Sequence, residues 1–131
     1  MKKIKTHKLI KEEFSGKVTE FEEGVYAKVI LRTREIMSAD ERGLVHGGFI
    51  FSLADYAAMV CVNKPTVVLK EACIKFKRPV KTGDVLEAYA EKVKQEGKYY
   101  TIDVKIKRGD TIIAEGKFIA VVPPKHVLDI E

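Results

Sequence analysis

The sequence has very few residues of several types. Its 131 residues include one asparagine, Asn63, one glutamine, Gln95, and two cysteines, Cys61 and Cys73. The cysteines show no CxxC and no metal-ligand spacing, which argues against a disulfide scaffold or a metal centre. We therefore predict two buried free thiols in a reducing cytoplasm. Few amides beside abundant Lys and Glu are typical of heat-adapted proteins and predict a thermophilic source.

The sequence also lacks an uninterrupted apolar run long enough to span a membrane. Its longest apolar segment, residues 43–62, contains His46 and Asp55, and a charge in the middle of a lipid-spanning helix is costly. No apolar stretch follows the basic residues 1–5, so we expect no signal peptide. These observations predict a cytoplasmic protein with no membrane partner.

The charge balance does not identify a partner. The formal net charge of +5 could attract nucleic acid, a membrane or a phosphorylated small molecule, but a lysine-rich solvated surface explains it equally well. No helix-turn-helix, zinc or aromatic-platform signature accompanies the charge, which argues against nucleic acid. With 46% hydrophobic and 33% charged residues, the length predicts one folded domain over residues 1–131.

Alternating hydrophobicity predicts strands on both sides of a single apolar helix. The predicted elements are a hairpin over 15–36, a helix over 46–62, and strands over 66–78, 85–94, 99–108 and 111–122. In the strand over 66–78, Ala72, Ile74 and Phe76 alternate with Cys73, Lys75 and Lys77. A helix that is apolar on all sides must be covered by other elements. We therefore predict an α+β fold in which a twisted antiparallel sheet wraps around the helix.

The segment that opens the helix, Gly43-Leu44-Val45-His46-Gly47-Gly48, contains two adjacent glycines. A helix N-terminus offers unpaired N–H groups, and the missing side chains would let a ligand's carbonyl approach. We therefore predict that the Gly47 N–H is an oxyanion-hole donor and that Gly48 contributes to binding. The alternative is that the glycines only permit a tight turn. His46 either caps the helix or helps to position the carbonyl.

Asp55 lies in the middle of this apolar helix, where an unpaired carboxylate is expensive. It is either paired with Ser52, Tyr56 or a neighbouring strand, or kept for function, which we favour. Asp55 follows Gly47 by eight residues, roughly 12 Å along a helix, so one chain cannot bring both to one carbonyl. Two copies with antiparallel helices could do so at a shared interface. Asp40, on the preceding polar loop, is the second candidate acid.

Together these motifs resemble the hotdog acyl-CoA thioesterases, specifically the phenylacetate-pathway branch of the 4-hydroxybenzoyl-CoA thioesterase superfamily. That branch has H-G-G at the helix start and an acid nine positions after the His, as His46 and Asp55 are spaced here. Residues 76–84, FKRPVKTGD, are similar to the F-x-x-P-V-x-x-G-D strand-turn of these thioesterases. The resemblance covers residues 15–122. It implies a hotdog fold, hydrolysis of an acyl-CoA, a homodimer or a dimer of dimers, no metal, and no cofactor beyond the substrate's CoA.

The resemblance also implies residue roles. Asp55 would be the nucleophile or general base, Gly47 the oxyanion donor and His46 a positioning residue. One departure is that the branch usually has Asn or Gln where this sequence has Asp40. Residues 40–45 also look like the D-x-x-G-x-V pattern of another hotdog thioesterase branch, whose catalytic acid lies there. Both acids remain candidates, and we favour Asp55 because its apolar setting is harder to explain otherwise.

The basic stretch near residue 80 has two interpretations. Lys75, Lys77, Arg78 and Lys81 could bind the phosphates of coenzyme A, or they could form a solvated strand end. Two other functions remain open. One is a non-catalytic acyl-CoA-binding or sensing module of the same fold. The other is a hotdog dehydratase, which uses a His with an acid in a loop context that this sequence does not show.

Overall fold

The computed structural model describes residues 2–130, which form one antiparallel sheet around one long helix. The elements in chain order are α1 (Glu12–Ser15), β1 (Lys17–Glu22), β2 (Tyr26–Arg32), a 3₁₀ turn (Glu35–Met37), α2 (Gly47–Val62), β3 (Val68–Phe76), β4 (Val85–Glu96), β5 (Tyr99–Arg108), β6 (Thr111–Val121) and a 3₁₀ turn (Val127–Asp129). This arrangement confirms the predicted sheet wrapped around a helix. Among the described residues, no helix is long and apolar enough to cross a membrane.

The six strands lie in the order β1-β2-β4-β5-β6-β3, and every neighbouring pair is antiparallel. The chain leaves the sheet after β2, forms α2, and returns at the opposite edge as β3. Strands β4, β5 and β6 then fill the space between β2 and β3 by two hairpins. The turn between β5 and β6 is Gly109-Asp110. Strands β1 and β3 are therefore the two open edges.

Helix α2 forms the centre of the core and contacts all six strands. Its buried residues are Ile50, Leu53, Ala54, Tyr56, Ala57, Ala58, Met59, Val60, Cys61 and Val62. The sheet supplies the facing side chains by period-two alternation, which buries Ala27, Val29 and Leu31 of β2 and leaves their neighbours more exposed. The C-terminal half of α2 is thus covered on every side, as a helix that is apolar all round requires.

Two side chains of β3 depart from the sequence prediction. Cys61 is buried as predicted, but Cys73 is exposed. The reason is the strand period: Ala72 and Ile74 face α2, so Cys73 between them faces outward. Phe76 is 51% exposed, because it ends an edge strand and lies beyond the part of α2 that the sheet covers.

The hairpin boundaries also differ from the prediction. Ser15 belongs to the short helix α1, and the second arm ends at Arg32, so residues 33–36 lie outside the hairpin. Thr33 leaves the strand because its backbone N–H and side-chain hydroxyl both bond to the carbonyl of Asp84. The chain is thereby redirected toward the loop that precedes α2.

Asn63 ends α2 and ties the N-terminal segment to it. Its φ of 52° is in the left-handed region, and its N–H donates to the carbonyl of Met59. Its side-chain oxygen accepts the Lys5 N–H at 2.7 Å, and its amide donates to the Lys3 carbonyl and to Glu23. The side chain is fully buried, so these bonds are not replaced by water if it is removed.

We predict that Asn63→Ala lowers the free energy of unfolding by about 2–4 kcal/mol, because three side-chain hydrogen bonds and a residue suited to positive φ are lost. Asn63→Gly is the matched control. It restores the left-handed backbone but not the side-chain hydrogen bonds. Its free energy of unfolding should therefore lie between those of wild type and Asn63→Ala. Urea unfolding of the three proteins measures both differences, and equal stability of Asn63→Ala and wild type would contradict the prediction.

Candidate functional site

The N-terminus of α2 is held by two loops. The Val45 N–H donates to the Val80 carbonyl, and the Thr82 N–H donates to the Gly43 carbonyl, each at 2.8 Å. These bonds join the loop before α2 to the turn between β3 and β4. Among the described residues, the N–H of Gly47 has no backbone acceptor, as expected at the first position of a helix. The predicted oxyanion donor is therefore available.

The local backbone does not require glycine at either position. Neither Gly47 nor Gly48 has a positive φ. A Cβ added at Gly47 would lie 3.7 Å from Phe76, an ordinary contact, and one at Gly48 would meet only the movable ring of His46 at 2.6 Å. The alternative that the glycines merely permit a tight turn is thus unsupported. The two glycines are explained more simply if they leave room for a group outside this chain.

His46 is the residue that precedes the first turn of α2. Its backbone N–H donates to the Met37 carbonyl at 2.8 Å, but its side chain makes no capping bond, so the helix-cap alternative is wrong. The exposed ring lies over Gly48 and meets the edge of Phe49 at a centroid distance of 6.1 Å. The structure thus leaves the imidazole over Gly48 and open to solvent.

A groove of about 280 Å³ runs from Gly47 between residues 44–50 and residues 76–80. Phe76 gives it an apolar wall, and Lys77 and Arg78 line it. Lys77 is partly committed, because its Nζ lies 2.6 Å from a carboxylate oxygen of Glu115. The groove therefore connects the predicted oxyanion donor, the Gly47 N–H, with two cations.

A second groove of about 500 Å³ adjoins the first and shares part of its lining. Arg42, Lys81 and Arg108 contribute its cations. Arg108 is fixed by Asp84, at 3.0 Å, and by a backbone carbonyl. Within residues 2–130, Arg42 and Lys81 form no ion pair. Their charges are thus free for an anionic ligand.

Lys75 does not join the other predicted phosphate-binding residues. It lies one residue before Phe76 and therefore points to the outer face of the sheet. There it lines a different groove, together with Asp103 and Glu115. Lys77 has the same strand parity and pairs with Glu115 of that groove, but it follows the end of β3 and also lines the groove at Gly47, which Lys75 does not.

Asp55 is half-buried on α2, and its Oδ1 atom is buried without a hydrogen-bond donor among the described residues. Ser52, one predicted partner, bonds instead to Ser15, with 2.7 Å between their hydroxyl oxygens. Loss of hydration on burial raises the pKa of Asp55 from 3.8 to about 6. The alternative of a carboxylate satisfied by its own chain is therefore wrong within residues 2–130.

Asp40 has a different environment. It is exposed, and its Oδ1 accepts the N–H groups of Arg42 at 2.9 Å and Leu44 at 3.1 Å. These bonds form a side-chain-stabilised turn, a common role for Asp in loops. Asp40 thus shapes the loop that carries Arg42, which explains this acid without a catalytic role.

One stripe of α2 is left incompletely covered by the sheet. Gly48 is exposed, and Phe51, Ser52 and Asp55 are half-buried, in contrast to the fully buried C-terminal half. These four residues lie on one side of the helix, since they recur at spacings of three and four. Asp55 and the free end of the helix at Gly47 lie roughly 12 Å apart along that stripe.

Three residues at this site were not singled out from the sequence. Phe76 and Arg42 line the two grooves, and Ser15 bonds to Ser52. Phe76 belongs to the F-x-x-P motif and could have been found there. No sequence signal connects Ser15 to a residue 37 positions away, because the contact depends on how α1 packs against α2.

Comparison with known proteins gives matches along most of the chain. A model of the thioesterase superfamily matches residues 42–115. The chain is 35% identical over 120 residues, 92% of its length, to the transcription factor FapR of Caldanaerobacter subterraneus. It covers 59% of that protein. It also covers 26% of an Aquifex aeolicus protein named methylthioribose-1-phosphate isomerase, with 48% identity over 90% of this chain. The chain thus spans only part of both curated relatives.

Two solved structures superpose closely on this one. An uncharacterized protein of Pyrococcus horikoshii, a thermophile, is 50% identical with a TM-score of 0.94, and the match covers 97% of each chain. The PaaI protein from the phenylacetic acid degradation operon of Escherichia coli is 25% identical with a TM-score of 0.78, covering 86% of this chain and 83% of that one. These superpositions confirm the predicted hotdog fold and the resemblance to its phenylacetate-pathway branch.

The raised pKa of Asp55 predicts a measurable stability effect. Because the folded state holds this proton more tightly than the unfolded chain, ionisation opposes folding. The penalty is absent below about pH 4, grows up to about pH 6 and is complete at pH 7. Asp55→Asn should therefore raise the free energy of unfolding by about 1–3 kcal/mol at pH 7 and by much less at pH 4.

Urea unfolding at both pH values and one protein concentration tests this effect. Asp40→Asn is the control, because its carboxylate is exposed and already hydrogen-bonded, so it should not stabilise the protein at pH 7. A wild type as stable as Asp55→Asn at pH 7 would contradict the burial argument.

Proposed function

Because the chain belongs to the thioesterase superfamily, we propose that it hydrolyses an acyl-CoA thioester to a free acid and CoA. The observation that carries this proposal is the Asp55 carboxylate. It is unpaired and partly desolvated, and it lies on the uncovered stripe of a helix that begins with two glycines, neither of which has a positive φ. A structural acid in an apolar helix would be paired, whereas a catalytic base near neutral pH needs a raised pKa.

The active site is shared between two subunits in this proposal. A carbonyl bound at the Gly47 N–H lies about two helical turns from Asp55 of the same chain. If two α2 helices pack antiparallel along their uncovered stripes, Asp55 of the partner subunit meets the carbonyl at Gly47. The missing side chain of exposed Gly48 favours such close packing. Packing would also cover the half-buried Phe51, which gives the dimer an apolar driving force.

The chemistry follows from the two groups. The Gly47 N–H and the positive end of the α2 dipole stabilise the negative charge that develops on the thioester oxygen. Asp55 either activates a water molecule or attacks the carbonyl carbon itself. His46, beside Gly47, helps to orient the carbonyl. No metal or additional cofactor is needed, because a thiolate is already a good leaving group.

The adjoining grooves provide a place for the CoA portion. Lys77 and Arg78 lie in the groove that starts at Gly47, and Arg42 and Lys81 lie in the groove beyond it. We assign these four cations to the CoA phosphates, because they follow the direction in which the CoA chain would leave the carbonyl site. Lys75 is removed from this set, since it lines neither of these two grooves.

The first test is release of free thiol from a panel of acyl-CoAs. Asp55→Asn should reduce kcat by at least about 100-fold, because the base or nucleophile is lost. Asp40→Asn should keep most of the activity, since an amide oxygen can still accept the two N–H bonds of the turn. Loss of thiol release in Asp40→Asn alone would instead show that Asp40, on the loop before α2, is the catalytic acid.

A mixed dimer tests the sharing of the site. One subunit carries Asp55→Asn and the other Gly47→Val, which blocks the carbonyl site; each variant alone should be inactive. A purified heterodimer with different tags on its subunits should regain about half of the wild-type activity, because one complete site remains. An inactive heterodimer would show that Gly47 and Asp55 act within one chain.

Phosphate binding is tested by charge removal. Arg78→Ala and Lys81→Ala should each raise KM for acyl-CoA about 3- to 10-fold with little change in kcat, because they contact a part of the substrate that does not react. Lys75→Ala is the matched control and should leave KM unchanged. The KM of wild type should also rise with ionic strength. An equal rise in KM for Lys75→Ala and Lys81→Ala would contradict the assignment of Lys81 to the CoA phosphates.

A second candidate function is acyl-CoA binding without hydrolysis. The observation that favours it is the 35% identity to a protein named as a transcription factor, which shows that this domain type also occurs in regulators. A wild type that binds acyl-CoA in calorimetry but releases no thiol would support this function and contradict hydrolysis. Conversion of an enoyl-CoA without thiol release would instead indicate a dehydratase.

A further inference from the structure

We propose that Arg108 binds a phosphate group of CoA, in addition to the four cations assigned above. This inference rests on the proposed thioesterase function and extends its substrate site to a residue that the chain already holds in place. The observation that carries it is the division of the guanidinium group. One nitrogen is bonded to the neighbouring turn, and the rest of the group is unbonded beside the second groove.

The turn between β3 and β4 holds one side of the guanidinium. Arg108 ends β5, and its Nη1 donates to the Pro79 carbonyl at 2.9 Å and to Asp84 Oδ2 at 3.0 Å. The same oxygen of Asp84 accepts the Lys81 N–H at 2.9 Å. Thr33, which follows β2, fixes the turn from another strand, since its hydroxyl donates to the Asp84 carbonyl at 2.6 Å. Arg108 is therefore attached to a turn that is itself tied to the sheet.

The other side of the guanidinium keeps its hydrogen-bond donors free. A guanidinium has five N–H groups, and the two on Nη1 of Arg108 serve the turn. Those on Nε and Nη2 form no hydrogen bond within residues 2–130. The Nε–H and one Nη2–H point in the same direction, which is the paired arrangement that binds two oxygens of one phosphate. The side chain is 35% exposed, so a ligand can reach it.

The free side of the guanidinium faces the second groove. Arg108 lines that groove, whereas Asp84 does not, so the carboxylate holds the guanidinium from outside it. Within residues 2–130, the charged residues of the lining are the cations Arg42, Lys81 and Arg108 and the acid Asp40. Asp40 is committed, since its Oδ1 accepts two backbone N–H groups. The lining therefore has an excess of positive charge, which attracts a phosphate.

The attachment of Arg108 distinguishes it from the other cations of this groove. Arg42 and Lys81 form no ion pair within residues 2–130, so a ligand must order their long side chains when it binds. Arg108 is already ordered by the turn before the ligand arrives. A fixed guanidinium loses less conformational entropy on binding. We therefore expect Arg108 to contribute more to affinity than Lys81 does.

The second groove also lies where a phosphate of CoA is needed. It shares Leu44, Pro79 and Val80 with the groove that starts at Gly47. In CoA the pantetheine chain separates the sulfur from every phosphate. A thioester carbonyl at Gly47 therefore requires a phosphate site at a distance, and the two adjoining grooves provide a continuous path to Arg108.

Two variants and two substrates test this inference in the full-length protein. The substrates carry the same acyl group, one on CoA and one on pantetheine, which has no phosphate. Arg108→Gln should raise KM for the acyl-CoA about 10- to 50-fold and KM for the acyl-pantetheine less than about 2-fold, because only CoA offers a phosphate. Arg108→Lys should be intermediate on acyl-CoA, since it keeps the charge but loses the paired donors.

The matched control is Lys107→Gln. Lys107 is the exposed neighbour of Arg108 on β5 and lines neither of the two grooves, so its loss removes the same charge at another place. It should leave KM for acyl-CoA unchanged. An equal rise in KM for Lys107→Gln would overturn the proposal, because general attraction by the positive surface would then explain the effect. Thermal unfolding of each variant accompanies the assays.

The substrate comparison separates phosphate binding from a merely structural role. If Arg108→Gln raises KM equally for acyl-CoA and acyl-pantetheine, Arg108 only holds the turn and the proposal is overturned. An unchanged KM for both substrates would overturn it as well. Acyl-dephospho-CoA then identifies the phosphate. A rise in KM that persists with this substrate assigns Arg108 to the diphosphate, and a rise that disappears assigns it to the 3′-phosphate.

Failure of the proposed function would be recognised separately. If wild type releases no thiol from any substrate, hydrolysis is contradicted, and calorimetric binding of CoA still tests Arg108. Arg108→Gln should then weaken CoA binding about 10-fold or more, whereas Lys107→Gln should not. Equal CoA affinity of wild type and Arg108→Gln would overturn the phosphate site whatever the outcome of the hydrolysis assay.

Discussion

The need to cover a long and mostly apolar helix determines this structure. The rest of the chain covers the C-terminal half of α2 completely, and every strand contributes to that cover. It does not cover the stripe on the N-terminal half that contains Gly48, Ser52 and Asp55. The same helix therefore forms the centre of the core and also leaves one face partly exposed. The proposed dimer completes the cover, and it explains why the candidate catalytic groups lie on the part that the sheet leaves open.

Asp55 shows how this arrangement trades stability for reactivity. Partial burial removes water from the carboxylate and raises its pKa to about 6, which makes it a better base near neutrality. The same desolvation destabilises the folded chain whenever the group is ionised. A protein under selection for stability alone would replace it or pair it. Asp40 shows the opposite case, since its carboxylate is satisfied by two backbone N–H groups.

The sequence predicted the features that depend on local periodicity. Alternation and the apolar run located the sheet and α2, and the polar exception in that run pointed to Asp55. It failed where the outcome depends on three-dimensional packing. Cys73 was misplaced although the alternation of β3 already sets it opposite Ala72 and Ile74, and no sequence signal showed that Lys75 lines a different groove from Arg78 and Lys81. The contact of Ser52 with Ser15 was missed because α1 is only four residues long and has no periodic signal.

The single asparagine has a consequence for the chemical lifetime of the protein. Asparagine side chains are among the groups that fail first in heated proteins, when a mobile backbone lets the amide react. Asn63 is fully buried, its backbone is fixed at the end of α2, and both ends of its amide are hydrogen-bonded. The residue type most prone to spontaneous chemical damage thus occupies a buried position where its side chain is fully hydrogen-bonded. The chain keeps an asparagine only where folding itself protects it from decay.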